Sequence, residues 1–231
     1  MSLTYSSYVT AIQTLMPTTS ADVDFASIFP SAIDYAEQRL YRELDLLSTV
    51  NRDTSGTVTA NSRTFTLPQS IGLFVVVDGI NIITPVGSTA SNGTRNPLVP
   101  ASRSYIDFVW PSETAASAAT VPSLWAPVTD QIILLGPAPG AGFAVEVIGT
   151  IRPTPISASN TTTFLSLNLP DLFVAATMIF ISGYMKNYGA QSDDPKLAVS
   201  WDSQYDKLFA SANAEEMRRK FGHFAPAVAK R

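Results

Sequence analysis

Few residues in this chain are placed to do chemistry, and each fails a specific requirement. Glu113, Asp130 and Glu146 are the carboxylates that a glycoside-cleaving pair would draw on. Such a pair needs two acids at a fixed separation across a cleft, and these three fall in separate loops and strands with nothing in the sequence to converge them. A chain with 19 acidic residues offers pairs of this kind by chance. The single histidine, His223, is the one imidazole available for acid–base work. It sits near the C-terminus, and no G-x-S-x-G elbow accompanies it. Gly136–Gly142 (GPAPGAG) lacks the Lys-Ser/Thr ending of a phosphate loop, and its prolines remove backbone donors, so it reads as a turn. Trp110 and Trp125, each beside a proline, suit either packing or the stacking platform of a carbohydrate-binding module. The sequence therefore predicts no enzyme and no cofactor.

Composition narrows the classes further. At 45% hydrophobic and 15% charged residues the chain is a folding sequence. Zero cysteines exclude disulfides, thiolate metal sites and a cysteine nucleophile. A net charge of −4 gives no global attraction to nucleic acid. The N-terminus shows neither a basic n-region nor an apolar h-region, so no signal peptide is expected. The apolar run Leu172–Met185 falls short of the about 20 residues a membrane span needs and reads as a buried helix.

The elements that would position these residues come in three blocks. Thr4–Met16 predicts a first helix stopped by Pro17, and Ser31–Leu47 a second. In the second, Ile33, Ala36, Leu40, Leu44 and Leu47 form one stripe of a 3.6-residue period, with Pro30 at its start. From Asn51 to about Asn168 helical periodicity disappears. Strands are expected at Gly56–Thr59, Arg63–Thr66, Leu73–Val77, Gly79–Thr84, Asn96–Val99, Tyr105–Val109, Leu124–Val128, Gln131–Leu135 and Phe143–Ile151, with hairpin turns at Asp78–Gly79 and Thr129–Asp130. Gly87–Arg95 and Ser112–Ala119 read as loops.

Helical spacing returns at Pro170. Leu172, Phe173, Ala176, Ile179, Phe180, Gly183 and Tyr184 repeat at three and four in a segment apolar on every face, stopped at Gly189. Asp193-Asp194-Pro195 supplies a cap and an N1 proline for a last helix with the stripe Leu197, Trp201, Tyr205, Leu208 and Ala212. The fold class is therefore α+β: a four-helix bundle from the N- and C-terminal helices, an inserted antiparallel β-sandwich or barrel-like domain, and an extended C-terminal tail. The expected divisions are 1–50, 51–168, 169–214 and 215–231. Ile33, Leu40, Leu44, Phe173, Phe180, Tyr184, Trp201 and Tyr205 are the expected packing residues of the bundle. From Arg218 onward there are five basic residues and no acid. Arg218, Arg219, Lys220, Phe221, Phe224, Lys230 and Arg231 thus form an apolar–basic terminus suited to docking on another protein.

Several stretches taken together resemble the adaptor (head-completion, head-to-tail connector) proteins of tailed bacteriophages. They are AIDYAEQRLYREL (Ala32–Leu44), FTLPQSIGLFVVVDGI (Phe65–Ile80), PSLWAPVTDQIILLGPAPGAGFAVEVIGTIRPTPIS (Pro122–Ser157), FLSLNLPDLFVAATMIFISGYMKNYG (Phe164–Gly189) and WDSQYDKLF (Trp201–Phe209). The resemblance implies a virion protein at the head–tail junction, made in the host cytoplasm and assembled as a ring, usually of twelve copies. Its partners would be other copies of itself, the portal protein and tail or nozzle proteins. DNA would only pass through the lumen, during ejection, and no membrane would be involved. The basic terminus would grip the portal. A tail-tube ring subunit shares much of this layout and stands as the alternative, with a tail-associated cell-wall hydrolase or a carbohydrate-binding module further off.

Overall fold

The computed structural model describes residues 2–16, 23–184 and 195–221, without the side chains of Asp24, Tyr184 and 195–198. The described residues form six α-helices and two four-stranded sheets. The chain divides into two compact units, Met1–Ser48 with Thr154–Arg231, and Thr49–Pro153.

In the helical unit, α1 (Tyr5–Leu15) starts at a reciprocal cap, in which Thr4 Oγ1 accepts the Ser7 N–H and the Ser7 hydroxyl oxygen accepts the Thr4 N–H. It buries Tyr8 and Ile12. Helix α2 spans Val23–Glu43, so it starts before the expected Ser31 and ends before Leu47. Pro30 lies inside it and not at its first turn. A proline there removes one backbone bond. Ala26 and Pro30 are both exposed, so water can take the carbonyl left free at Ala26. Beyond Glu43 the chain relaxes into a 3₁₀ turn at Leu47–Thr49.

A short helix that the sequence reading missed, α4 (Phe164–Asn168), begins at a second Thr/Ser reciprocal cap, Thr163 with Ser166. It lies in the stretch assigned to the β domain, yet residues 154–168 fall with the helical unit. Backbone bonds hold them there: Leu3 N–H to Ser166 O and Tyr5 N–H to Thr161 O, each 2.8 Å. Helix α5 spans Pro170–Tyr184 and α6 spans Pro195–Phe221. The expected stop at Gly189 and cap at Asp193-Asp194 lie outside the described residues.

One apolar cluster draws on α1, α2, α4, α5 and α6. Its centre is the Tyr8 ring stacked on Phe173 at 4.4 Å, with the Tyr8 hydroxyl meeting Thr177. Ile33, Leu40, Leu44, Phe173 and Tyr205 are buried, while Phe180 and Trp201 pack against the cluster half-buried. The Tyr184 side chain is outside the description.

In the second unit, one sheet (sheet A) has the order β1-β8-β3-β4. Its strands are β1 (Val50–Thr57), β3 (Leu73–Thr84), β4 (Thr94–Pro97) and β8 (Ala144–Arg152). Sheet B has the order β2-β7-β6-β5, with β2 (Thr64–Thr66), β5 (Val99–Pro100), β6 (Leu124–Pro127) and β7 (Ile132–Gly136). The expectation of antiparallel pairing fails once, because β5 runs parallel to β6. Neither sheet closes into a barrel. The segment read as one strand, Asn96–Val99, changes sheet at the buried Leu98, whose N–H bonds Ile80 O at 2.8 Å. Alternate residues of both sheets enter one cluster: Phe74, Ile80, Ile82, Val145, Val147 and Ile151 from sheet A, with Phe65, Trp125, Ile133 and Leu135 from sheet B.

Two further expectations are corrected. Asp78–Gly79 is not a hairpin turn. Leu73–Thr84 is one continuous strand that absorbs an irregularity between Val77 and Gly79 as a register shift against β8. A bulge takes up an extra residue without ending a strand. Tyr105–Val109 is not a strand but part of helix α3 (Arg103–Val109), capped by Ser102 accepting the Tyr105 N–H. Its alternating aromatic and branched residues suit a strand, but the cap and the Arg103–Asp107 ion pair one turn apart favour the helix. Helix α3 buries Ile106 against Ala126 and Leu134, the residues of β6 and β7 that point away from the shared core.

Candidate assembly surface at the basic end of the last helix

The residues expected to form an extended terminus from Glu215 are helical as far as Phe221, the last turn of α6. The order of charges explains it. Arg218, Arg219 and Lys220 fall in the last turn, where cations face the negative end of the helix dipole. Two of the three are engaged within the chain. Arg219 pairs with Glu216, and its guanidinium lies over the Phe164 ring at 5.2 Å. Lys220 pairs with Asp45. Glu216 is buried, and its second oxygen accepts the Leu47 N–H at 3.0 Å.

Among the described residues Arg218 donates only to the Ala214 carbonyl, at 3.2 Å, and it is exposed. Met217 and Phe221, one turn apart, are more than half exposed. The outward surface of this turn is therefore Met217, Arg218 and Phe221. Phe224, Lys230, Arg231 and His223 lie outside the described residues.

Further down α6, the Arg39 guanidinium of α2 lies over the Tyr205 ring at 4.1 Å and bonds Glu43 at 3.1 Å and Asp202 at 3.5 Å. The Tyr205 hydroxyl donates to Glu43. Burial, then that hydrogen bond and the Glu43 charge, hold the Tyr205 phenol above its ordinary range. Glu37, also on α2, is buried and accepts the Ile156 N–H at 3.0 Å. Burial pushes its carboxyl up to about 7, the Ile156 bond opposes the shift, and the Asp34 charge adds to it. The Tyr41 phenol next to it is likewise raised, by burial and then by the Glu37 charge.

Sequence reasoning missed Glu37, Arg39 and Glu216. A signal existed for the two acids. Glu37 follows Ile33 by four residues, and Glu216 follows Ala212 by four, so both continue a buried stripe. A carboxylate in that position needs a specific donor.

The candidate catalytic acids stay apart. Glu146 lies on β8 with both oxygens bonded by Arg95, at 2.9 and 3.2 Å. Glu113 is exposed in the loop after α3, and Asp130 is exposed in the turn between β6 and β7. Among the described residues no three His, Cys, Asp or Glu gather as a metal site. Trp125 is buried in the shared core and Trp110 is half-buried beside α3, so neither offers the open ring face a sugar would stack on. A depression of about 120 Å³ by Leu169, Asp171, Leu208 and Glu215 is small against the roughly 300 Å³ at which ligand pockets begin. No described helix is long and apolar enough to cross a membrane.

The chain thus combines a helical unit, a β unit inserted in its sequence, and a basic helix end with exposed apolar neighbours. The chain belongs to the SU10 adaptor protein family, whose model matches residues 3–229. That makes it a phage structural adaptor, a family of the virion's head–tail junction with portal and tail components as its associates. No curated protein matches the chain.

Proposed function

We propose that this protein is the ring subunit that connects the portal to the tail and lets DNA pass through its lumen. Family membership across residues 3–229 carries the reading. In this reading α1, α2, α5 and α6 act as a four-helix bundle and the two sheets as a β-sandwich. The bundle packs through Ile33, Leu40, Leu44, Phe173, Phe180, Tyr184, Trp201 and Tyr205. The portal is engaged by Arg218 and Phe221 at the end of α6, followed by Phe224, Lys230 and Arg231. Arg219 and Lys220, expected beside them, serve to fix the helix end that presents the contact. The internal pairing of Arg219 with Glu216 and of Lys220 with Asp45 supports this division of labour. Around a ring, one modest contact repeated by every copy gives avidity without a tight single interface.

Native mass spectrometry of the protein, alone and mixed with the portal from the same genome, tests the proposal. A monomer alone and about twelve copies on the portal are expected under ring symmetry. A protein that ignores the portal would overturn it.

A further inference from the structure

The second unit exposes two apolar surfaces, and they face opposite ways. Residues of β6 and β7 alternate between the shared core (Trp125, Ile133, Leu135) and the outward side (Ala126, Leu134), where α3 sits. Ile106 is the residue that helix α3 buries on that side, and Asp107 adds an ion pair to Arg63 at 2.8 Å. Tyr105, Phe108 and Val109 stand at i, i+3 and i+4, a single helix face, and all are exposed, Phe108 at 85%.

On sheet A, Phe74, Ile80, Ile82, Val145, Val147 and Ile151 point into the shared core. The residues out of phase with them point away from it. Thr150 of β8 pairs with Val50 on one side and Val76 on the other, and Arg152 pairs with Leu73. Val50, Leu73 and Val76 are each more than 40% exposed. A helix face on the outside of sheet B thus has an apolar strip as its counterpart on the outside of sheet A.

Charge sets the two apart. Glu113, just beyond α3, is exposed and forms no ion pair among the described residues. Two cations lie on this side of sheet A, Arg152, paired across from Leu73, and the more exposed Arg52. Its side chain is 57% exposed and reaches only to 3.9 Å from Glu146, whose oxygens Arg95 already holds at 2.9 and 3.2 Å.

We propose that the Tyr105–Phe108–Val109 face of one copy docks on the Val50–Val76–Leu73 strip of a second copy, with Glu113 meeting Arg52. Unlike surfaces on opposite sides of one unit make a head-to-tail contact, which propagates, whereas a self-complementary patch stops at a dimer. The proposal rests on the adaptor-ring reading only for closure of the array into a ring.

The absence of cysteine in the chain makes the test clean. F108C, V76C and the F108C/V76C double variant are treated with a short bismaleimide, both in concentrated solution and after mixing with the portal. The double variant is expected to give a ladder of covalent oligomers, and the two single variants mixed together a dimer containing one of each. Y105E in the F108C background, on the same exposed helix face, should suppress that dimer at least tenfold. Dimers from F108C alone or V76C alone would overturn the proposal in favour of a self-complementary contact. Copies that assemble on the portal without this cross-link would overturn it and leave the adaptor reading standing. A ladder without portal binding would support the interface and remove the portal reading. No cross-link in either setting would end it.

Discussion

Glu37 couples the helical unit to pH. Its carboxyl titrates near 7 in the folded protein against an ordinary value of 4.5. Between those values the folded state holds a proton that the unfolded state has released. The stabilisation is therefore complete below about 4.5 and is lost as pH rises through 7, with an upper size of roughly 3 kcal/mol. Thermal unfolding of Glu37→Gln should show a flatter pH dependence between pH 5 and 7 than the parent. An unchanged slope would place the titrating group elsewhere. Glu216 poses a different residue-scale question, because it serves Leu47 and Arg219 together. Glu216→Ala leaves the Leu47 N–H without its acceptor and should cost about 1–3 kcal/mol in denaturant unfolding. Glu216→Gln, which keeps an acceptor, should cost less.

At the scale of elements, the last turn of α6 separates docking from folding. Removing 222–231 takes away none of the contacts described for Arg219 and Lys220, so the melting temperature should hold while portal binding falls. Removing Arg218–Arg231 also cuts the contacts with Glu216, Phe164 and Asp45, and should lower stability by about 1 kcal/mol as well. Calorimetry of the two truncations beside a portal pull-down tells these apart. Equal portal binding by both truncations and the parent would remove the terminus from the docking role.

The same elements show what was legible beforehand. The long stripes of α2 and α5 could be read because a buried face repeats at 3.6 residues whatever surrounds it. The Thr129–Asp130 turn between β6 and β7 could be read because turn chemistry is local. What failed depended on context. Asp78–Gly79 has turn residues but lies in a strand held by β8, and Tyr105–Val109 alternates like a strand while Ser102 caps it as a helix. The acids Glu37 and Glu216 sat in plain view on buried stripes, but their donors, Ile156 and Leu47, come from distant parts of the chain.

At the scale of the molecule, the second unit is one continuous segment, Thr49–Pro153, that begins on β1 and ends on β8. Val50 pairs with Thr150, so the segment's ends are neighbours, about 5 Å apart in a paired antiparallel ladder. The isolated segment 49–153 should fold, giving a cooperative thermal transition and amide protection in β3 and β8. A short Gly/Ser bridge from Ser48 to Thr154 should likewise leave the helical unit folded. An aggregated or unstructured 49–153 fragment would show that the unit depends on the rest of the chain. Two glycines enforce the close passage of β3 against β8. A Cβ on Gly149 would come to 2.1 Å from the Val76 carbonyl oxygen, and one on Gly72, which also has φ +137°, to 2.5 Å from the Arg152 carbonyl oxygen. Neither neighbour is a side chain that can swing away, so Gly149→Ala should abolish the fragment's cooperative transition.

That pairing of entry and exit strands also fixes how the chain responds to a pull. Tension drawing Ser48 and Thr154 apart does not slide β1 along β8. It peels them, meeting the Val50–Thr150 pair first, then Asn51–Gly149, then Arg52–Ile148. Each step breaks a single pair, so the force stays low and the work is spread along the strands. The β unit is built to open by unzipping from its paired ends.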